Sequence, residues 1–127
     1  MDHATLIVLL ALLQYVWFTA RVGLARGKYH VDAPACDGDE AWNRLFRVQQ
    51  NTMEQLLVFI PALWIFGIFV DSLWGAGFGL VFIAGRFIYR AAYLKDPGAR
   101  GRGFAITFLP TAVMLAWSLL GGRLARA

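Results

Sequence analysis

Four long stretches without a charged residue divide this chain, and they limit what it can fold into more than any other feature. They cover 4–20, 55–70, 72–85 and 103–122 and contain 17, 16, 14 and 20 residues respectively. A helix needs roughly 20 predominantly apolar residues to cross the hydrocarbon core of a bilayer. The first and fourth stretches come close to that length, and the other two reach it if each helix extends through a polar segment. The sequence therefore predicts four membrane-spanning helices.

The composition agrees with a protein that lies in a membrane. Of the 127 residues, 59% are hydrophobic and 16% are charged, whereas soluble domains have about a quarter charged residues. This composition argues against a soluble domain and excludes a disordered chain. The length allows a single domain, which we expect to span 1–127. So short a chain encloses little interior, so we also expect oligomers.

The single cysteine, Cys36, limits the chemistry that the chain can carry. One cysteine excludes an intramolecular disulfide, a cysteine-ligated metal cluster and a CxxC redox pair. We therefore predict no metal site. Nothing in the sequence around Cys36 marks it as reactive, and we interpret it as incidental.

Turn-forming residues mark the connections between the predicted helices. The segment 27–41 is rich in glycine, proline and acidic residues and is predicted to be a surface loop. A very short turn at 71–72 separates the second and third helices, and Asp-Pro-Gly at 96–98 ends the third. We therefore predict helices over about 3–26, 42–70, 73–95 and 101–122, which form an all-α, integral membrane four-helix bundle.

The basic residues are distributed unevenly between the two ends of these helices. Of the twelve lysines and arginines, ten flank the first and third loops, and only Arg123 and Arg126 follow the fourth helix. Because loops rich in these residues face the cytosol, we expect loops 1 and 3 there and both termini on the opposite side. Attachment to anionic lipid is an alternative role for these cations and implies the same orientation. The cations interrupt apolar stretches and form no tract, so we expect no nucleic acid partner.

Polar residues recur at helical spacing where the second and third helices extend beyond their apolar stretches. They are Arg47, Asn51 and Glu54 in the second helix and Arg86, Tyr89 and Tyr93 in the third. Each trio falls on one helical face. Ionisable groups at membrane depth avoid lipid, so both faces should point into the bundle or a wet cavity. We predict one shared cavity, whose guanidiniums, carboxylate, amide and phenols suit a small zwitterionic ligand.

A structural role is the alternative for each of these residues taken singly. Glu54 could form an ion pair with Arg47 or with Arg86 and hold the bundle together. Tyr89 and Tyr93 could be ordinary aromatics of the membrane interface. The presence of two matched faces at one depth favours a functional site.

Gln49 points away from the polar face of the second helix. At about 100° per residue it lies roughly 200° from Arg47 around the helix axis. It therefore faces either lipid headgroups or a neighbouring subunit. The second possibility would place a site between chains.

Both polar faces carry motifs of a known family. The segment 47–54, with the sequence RVQQNTME, resembles the helix-two signature of the MAPEG family, the membrane-associated proteins in eicosanoid and glutathione metabolism. The segment 86–93, RFIYRAAY, followed by Arg100, resembles the helix-three signature. The resemblance extends over nearly the whole chain, and the pairing of the two motifs at the right separation makes it specific.

This resemblance implies a homotrimer of four-helix subunits, with glutathione bound at each subunit interface toward the cytosol. From one subunit it assigns to glutathione Arg47, Asn51, Glu54, Tyr89 and Tyr93, with Arg86 near the same pocket. From the neighbouring subunit it assigns Gln49, Arg26 and Arg100, with Lys28 as the alternative to Arg26. Arg100 matches an arginine proposed in the family to stabilise the glutathione thiolate.

The activity that the resemblance implies is that of a membrane-bound glutathione S-transferase, with glutathione as cosubstrate and an apolar electrophile or lipid as second substrate. The nucleophile would be the thiol of glutathione, because cations lower the pKa of a thiol, and the same thiolate could reduce peroxides. Arg100 stays protonated and would stabilise charge. A non-catalytic glutathione- or lipid-binding membrane protein remains an alternative. A small multidrug-type transporter fits poorly, because Glu54 is not isolated at mid-membrane.

Overall fold

Four helices account for almost the whole chain. They are α1 (His3–Tyr29), α2 (Glu40–Phe69), α3 (Ser72–Lys95) and α4 (Gly101–Arg126), with a short 3-10 turn at Pro97–Ala99. This computed structural model describes residues 1–126 and the side chains up to residue 121. Within that part all regular structure is helical, and the four helices are long and apolar enough to cross a membrane. The predicted all-α architecture with four membrane-length helices is confirmed.

Aspartate side chains define where three of the helices begin. Asp2, Asp39 and Asp71 each accept a hydrogen bond of 2.8 Å from a backbone N–H in the first turn of α1, α2 and α3. Such N-caps satisfy backbone donors that have no partner inside the helix. The cap at Asp39 explains why α2 begins at Glu40, two residues before the predicted start at 42.

The first helix continues beyond its predicted end. α1 runs to Tyr29 and not to 26, because Gly27 is accommodated within the helix and the chain turns only at His30. His30 has a φ of 56°, the left-handed conformation that commonly ends helices. α4 likewise runs to Arg126, beyond the predicted 122. Residue 127 and the side chains of Arg123 and Arg126, which entered the prediction of membrane orientation, lie outside the described part.

Successive helices run in opposite directions. The starts of α1 and α3 therefore lie at one end of the bundle, and the start of α2 and the end of α3 lie at the other. At one end, the backbone N–H of Ala4 donates to Ser72 Oγ at 3.0 Å, which ties the start of α1 to the start of α3. At the other end, Arg44 Nη1 donates to the Leu94 carbonyl at 3.1 Å, which ties the start of α2 to the end of α3. The polar segments of α2 and α3 therefore lie side by side.

Aromatic packing fills the centre of the bundle. The rings of Phe59 in α2 and Phe82 in α3 are both fully buried and stack with their centroids 3.8 Å apart. Buried aromatic side chains of this size contribute a large part of the packing in a core. This contact holds the apolar halves of α2 and α3 together and sets the distance between their polar halves.

Two glycines allow α4 to approach α3 closely. A Cβ atom at Gly85 would lie 2.9 Å from the backbone nitrogen of Thr107, and one at Gly103 would overlap the backbone of Tyr89. Because glycine has no side chain, the two backbones can pack at these points. The start of α4 therefore lies directly against the polar segment of α3.

The outside of the bundle is apolar along much of its length. Large side chains such as Leu13, Leu57 and Ile68 are between 63% and 72% exposed. Apolar surface of this extent is unfavourable in water and suits contact with lipid or with another protein. This surface agrees with a membrane location for the four helices.

Candidate functional site

A polar cleft lies between α2 and α3 at the end of the bundle where their polar faces meet. Its volume of about 540 Å³ falls within the range of small-molecule sites, which is roughly 300–1,000 Å³. The lining residues are Cys36, Asp37, Asn43, Phe46, Arg47, Gln50, Asn51, Glu54, Tyr89, Tyr93 and Arg100. The cleft thus brings together six of the nine residues singled out from the sequence.

The charged groups of α2 in this cleft are not paired with each other. Arg47 and Glu54 are both exposed, and the single ion pair among the described side chains joins Arg44 to Glu40 at 2.9 Å. The ion pairs considered from the sequence, Glu54 with Arg47 or Arg86, are therefore absent from the described part of the chain. One guanidinium and one carboxylate remain free to contact a ligand.

Two tyrosines of α3 form an aromatic wall of the cleft. Tyr89 and Tyr93 are one helical turn apart, and their rings stack with centroids 5.6 Å apart and an interplanar angle of 16°. Tyr89 is buried and Tyr93 is half-buried. This stacking leaves both rings in defined positions next to Asn51 and Glu54.

Arg86 lies beneath this wall and does not line the cleft. Its side chain is fully buried, and its Nη2 donates to Asn51 Oδ1 at 2.8 Å. A longer contact of 3.5 Å joins its Nη1 to Thr107 Oγ1, and its Cζ lies 4.3 Å from the centre of the Tyr89 ring. One guanidinium thus contacts a cleft residue on α2, a cleft residue on α3 and a threonine of α4.

The depth of Arg86 corrects the predicted contents of the cavity. The prediction placed the guanidiniums of Arg47 and Arg86 in it, whereas the two that line the cleft are those of Arg47 and Arg100. The reason is the close approach of α4 at Gly85, which encloses the neighbouring Arg86 between three helices. Thr107, the partner of Arg86 on α4, lies in a continuous apolar stretch, and no feature of the sequence indicated its role.

Arg100 reaches the cleft from the connection between α3 and α4. It follows the 3-10 turn at Pro97–Ala99, and its Nη1 donates to the Pro97 carbonyl at 2.9 Å. This turn folds the connection back toward the end of α3, where Arg100 and Tyr93 line the same cleft. The resemblance assigned Arg100 to a neighbouring subunit, but in this structure its own chain brings it to the cleft.

Arg26 lies outside this cleft and is engaged in the first loop. Its Nη1 donates to the carbonyls of Ala35 at 2.9 Å and Val31 at 3.4 Å. Its Cζ lies 4.7 Å from the centre of the Trp42 ring. These contacts attach the loop to the ends of α1 and α2. Lys28, the alternative to Arg26, lines a different recess.

Gln49 also lies outside this cleft, on the opposite side of α2 as expected from the helical angle. Its Nε2 donates to Thr19 Oγ1 of α1 at 3.2 Å. The prediction offered lipid headgroups or a neighbouring subunit as its surroundings, and this stays a prediction. Within the chain Gln49 contacts Thr19, because α1 packs against this side of α2.

The first loop supplies a part of the cleft that the sequence did not indicate. Asn43 donates from Nδ2 to Asp37 Oδ1 at 2.7 Å and accepts a bond from the Gly38 N–H at 2.9 Å, which fixes the loop against the start of α2. Cys36 and Asp37 are thereby placed in the lining. Cys36, interpreted as incidental, is exposed there.

Other lining residues could have been found from helical spacing. Gln50 is three residues from Arg47 and one from Asn51, so extending the polar face of α2 by one position would have included it. Phe46 directly precedes Arg47 in α2 and is half-buried. No such rule exists for Cys36, since its position depends on the path of the loop.

Taken together, the fold and the cleft define a small multi-pass membrane protein whose helical bundle carries a polar ligand site at one end. The lining offers cations, the two carboxylates of Asp37 and Glu54, amides and phenols, a set that matches a ligand with carboxylate, ammonium and peptide groups. The family model described as "MAPEG family" matches residues 4–120. The chain therefore belongs to the MAPEG family, and the resemblance seen in its motifs is confirmed.

Individual relatives include two named enzymes, one of which is named for glutathione chemistry. Microsomal glutathione S-transferase 2 of Homo sapiens is 34% identical over 113 residues, which are 89% of this chain and 77% of the relative. Leukotriene C4 synthase of Mus musculus is 30% identical over 114 residues, which are 90% and 73% of the two chains. An uncharacterized protein of Synechocystis is 40% identical over 115 residues, which are 91% and 84%.

Proposed function

We propose that this protein is a membrane-bound glutathione S-transferase that conjugates glutathione to apolar electrophiles. The observation that carries the proposal is the cleft in which α2, α3 and Arg100 present two cations, a carboxylate and two stacked tyrosines. The name of the human relative, microsomal glutathione S-transferase 2, supports glutathione as the cosubstrate. A chain with four apolar helices also explains an apolar second substrate, because such a molecule reaches the protein through the bilayer.

Each polar group of the cleft has a partner in the tripeptide. Arg47 binds a carboxylate of glutathione, and Glu54 binds its ammonium group. Asn51 and the tyrosine hydroxyls hydrogen-bond the peptide groups. Arg86 does not touch the ligand in this scheme and instead positions Asn51 from below.

The reaction begins with loss of the thiol proton to solvent. Arg100 stabilises the resulting thiolate by charge and hydrogen bonding, because a guanidinium remains protonated and cannot itself accept the proton. The sulfur then forms a bond to the electrophilic carbon, and the leaving group departs with its electron pair. With a lipid hydroperoxide, the same thiolate attacks oxygen and releases an alcohol, and a second glutathione converts the sulfenic acid into the disulfide and water.

An Arg100→Ala variant tests this role. We expect glutathione binding, measured by calorimetry, to persist, while turnover of chlorodinitrobenzene falls roughly 100- to 1,000-fold, as for loss of one group that stabilises developing charge. The pH at which the thiolate absorption appears should move upward, toward that of free glutathione, since a positive charge lowers the pKa of a thiol. Arg100→Lys should retain part of the activity.

A matched control separates this chemistry from a thiol of the protein. Cys36→Ser alters the other candidate sulfur in the cleft and should leave turnover unchanged. Loss of activity in this variant, or an unaltered thiolate band in Arg100→Ala, would contradict the mechanism. Tight glutathione binding without turnover of any electrophile would instead indicate a non-catalytic binding protein.

The homotrimer belongs to the same proposal. Arg26 and Gln49 lie outside the cleft of their own chain, and in a trimer they would contact glutathione held by a neighbour. Light scattering of the detergent-solubilised protein should then give three times the chain mass of 14.2 kDa after correction for detergent. A monomer that conjugates glutathione at full rate would contradict this part of the proposal.

A further inference from the structure

A second recess lies at the same end of the bundle and shares no lining residue with the cleft. Its volume is about 400 Å³, and it lies between α1, α3 and the start of α2. Three cations line it, namely Arg21, Lys28 and Arg90, together with the apolar side chains of Leu24, Leu45 and Leu94. No acidic residue is among its lining residues.

The two guanidiniums of this recess are held by one tryptophan and not by carboxylates. The Cζ of Arg90 lies 4.7 Å from the centre of the Trp17 ring, and that of Arg21 lies 5.6 Å from it. Within the described part of the chain, no hydrogen bond or ion pair involves either guanidinium. Glu40, next to lining residue Ala41, is already paired with Arg44. Two positive charges are therefore held close together with their hydrogen-bond donors free.

The position of the recess matches the boundary between hydrocarbon and headgroups. Arg21 directly follows the uncharged stretch 4–20, and Arg90 follows the end of the uncharged stretch 72–85 by five residues. Trp17 packs edge-on to Phe87 with ring centres 6.1 Å apart, and such aromatic residues are enriched at membrane interfaces. Leu24 is 74% exposed, so an apolar surface lies beside the cations.

We propose that this recess binds the phosphate of an acidic membrane phospholipid, with Arg21, Lys28 and Arg90 around the headgroup and the leucines against the acyl chains. Charge complementarity favours an anionic occupant, because three cations line the recess and no carboxylate does. The adjoining leucines select a lipid over a soluble phosphate. Lipid in this recess would contact α1 and α3 away from the glutathione cleft. The proposal therefore does not depend on the transferase activity.

The test compares retention of phosphatidylglycerol with that of phosphatidylcholine on the full chain, by native mass spectrometry of protein purified in detergent with equal amounts of both. Arg21→Gln/Arg90→Gln should reduce the preference for phosphatidylglycerol about fivefold for each cation, or roughly 25-fold in total, as expected for charges near a membrane surface. Lys95→Gln/Arg102→Gln removes the same charge at the same end of the bundle but outside the recess and should leave the preference unchanged. Equal loss in both double variants would overturn the proposal, because it would show a general electrostatic attraction.

Two further variants test whether the lipid preference depends on the charges of Arg21 and Arg90 and whether something other than lipid occupies the recess. Arg21→Lys/Arg90→Lys preserves the charges and should retain most of the preference, whereas loss comparable to that of the glutamine variant would overturn the role of charge.

Leu24→Cys in a Cys36→Ser background should react with a water-soluble maleimide in lipid-free detergent and react more slowly when phosphatidylglycerol is added. Protection without lipid would show that a second copy covers the recess, and displacement of the lipid by millimolar inorganic phosphate would show a soluble phosphate site. Either result would overturn the proposal.

Discussion

At the scale of single residues, Arg86 connects the parts of the candidate site. Its guanidinium is fully buried among neutral partners, and its shortest contact, 2.8 Å, is to the Asn51 side chain in the cleft. Burial of a charge is unfavourable unless hydrogen bonds compensate for lost water. Because the guanidinium donates to Asn51 and lies over the Tyr89 ring, we interpret Arg86 as a positioning group that fixes the amide oxygen of Asn51 and the ring of Tyr89.

The Arg86→Met variant tests this positioning role. Methionine has a similar length and removes a buried charge, so we expect the protein to stay folded while glutathione affinity falls about tenfold, since Asn51 loses its fixed partner. Calorimetry and thermal unfolding in detergent measure the two effects separately. Thr107→Val is the matched control, because it removes the 3.5 Å contact to Arg86 and the 2.8 Å bond to the Gly103 carbonyl but leaves the bond between Arg86 and Asn51 intact, and its affinity should change little. An unchanged affinity in Arg86→Met would contradict the role.

At the scale of helices, the contact between α3 and α4 determines the shape of the cleft wall. Gly103 lies so close to α3 that any side chain there would overlap the Tyr89 backbone. The wall of stacked tyrosines therefore depends on a glycine in another helix. α4 supplies no residue to the lining of the cleft. Its effect on the cleft is therefore entirely through packing.

A Gly103→Ala substitution should separate α3 from α4. Inserting a methyl group into a packed contact costs about 1–3 kcal/mol, so we expect a lower unfolding temperature and weaker glutathione binding, as Tyr89 moves. Gly101→Ala is the control in the same helix, since a Cβ there meets nothing within 4 Å. Similar stability of the two variants in thermal unfolding would show that the two helices are not in close contact.

At the scale of the whole molecule, the ten basic residues around loops 1 and 3 predict the orientation in the membrane. We propose that these loops and the cleft face the cytosol and that the chain termini face the opposite side. Glutathione would then reach its cleft from the compartment where it is abundant. Cys36, exposed in the first loop, is a natural probe of this orientation.

Labelling with a membrane-impermeant maleimide tests the orientation directly. Cys36 should react in inside-out vesicles and stay unlabelled in intact cells. A His3→Cys/Cys36→Ser variant carries its cysteine at the other end of α1 and should show the reverse pattern, because His3 is exposed at the start of the helix. The same pattern for both proteins would exclude the proposed orientation.

Much of the architecture could be predicted from the order of residues alone. Apolar length and helical spacing predicted four helices and the polar faces that meet in the cleft, because the energetic penalty of charge in lipid acts on each helix by itself. These rules depend on distances along the chain and along one helix axis. Arg47, Asn51, Glu54, Tyr89 and Tyr93 all follow them.

Tertiary structure alone decided the remaining positions. The depth of Arg86 depends on the approach of α4 at Gly85, and the reach of Arg100 depends on a 3-10 turn. Arg26 is engaged in the first loop, and Gln49 contacts Thr19 of α1. Each of these contacts joins segments whose separation is set by packing or by the path of a loop, and the period of a single helix carries no information about either.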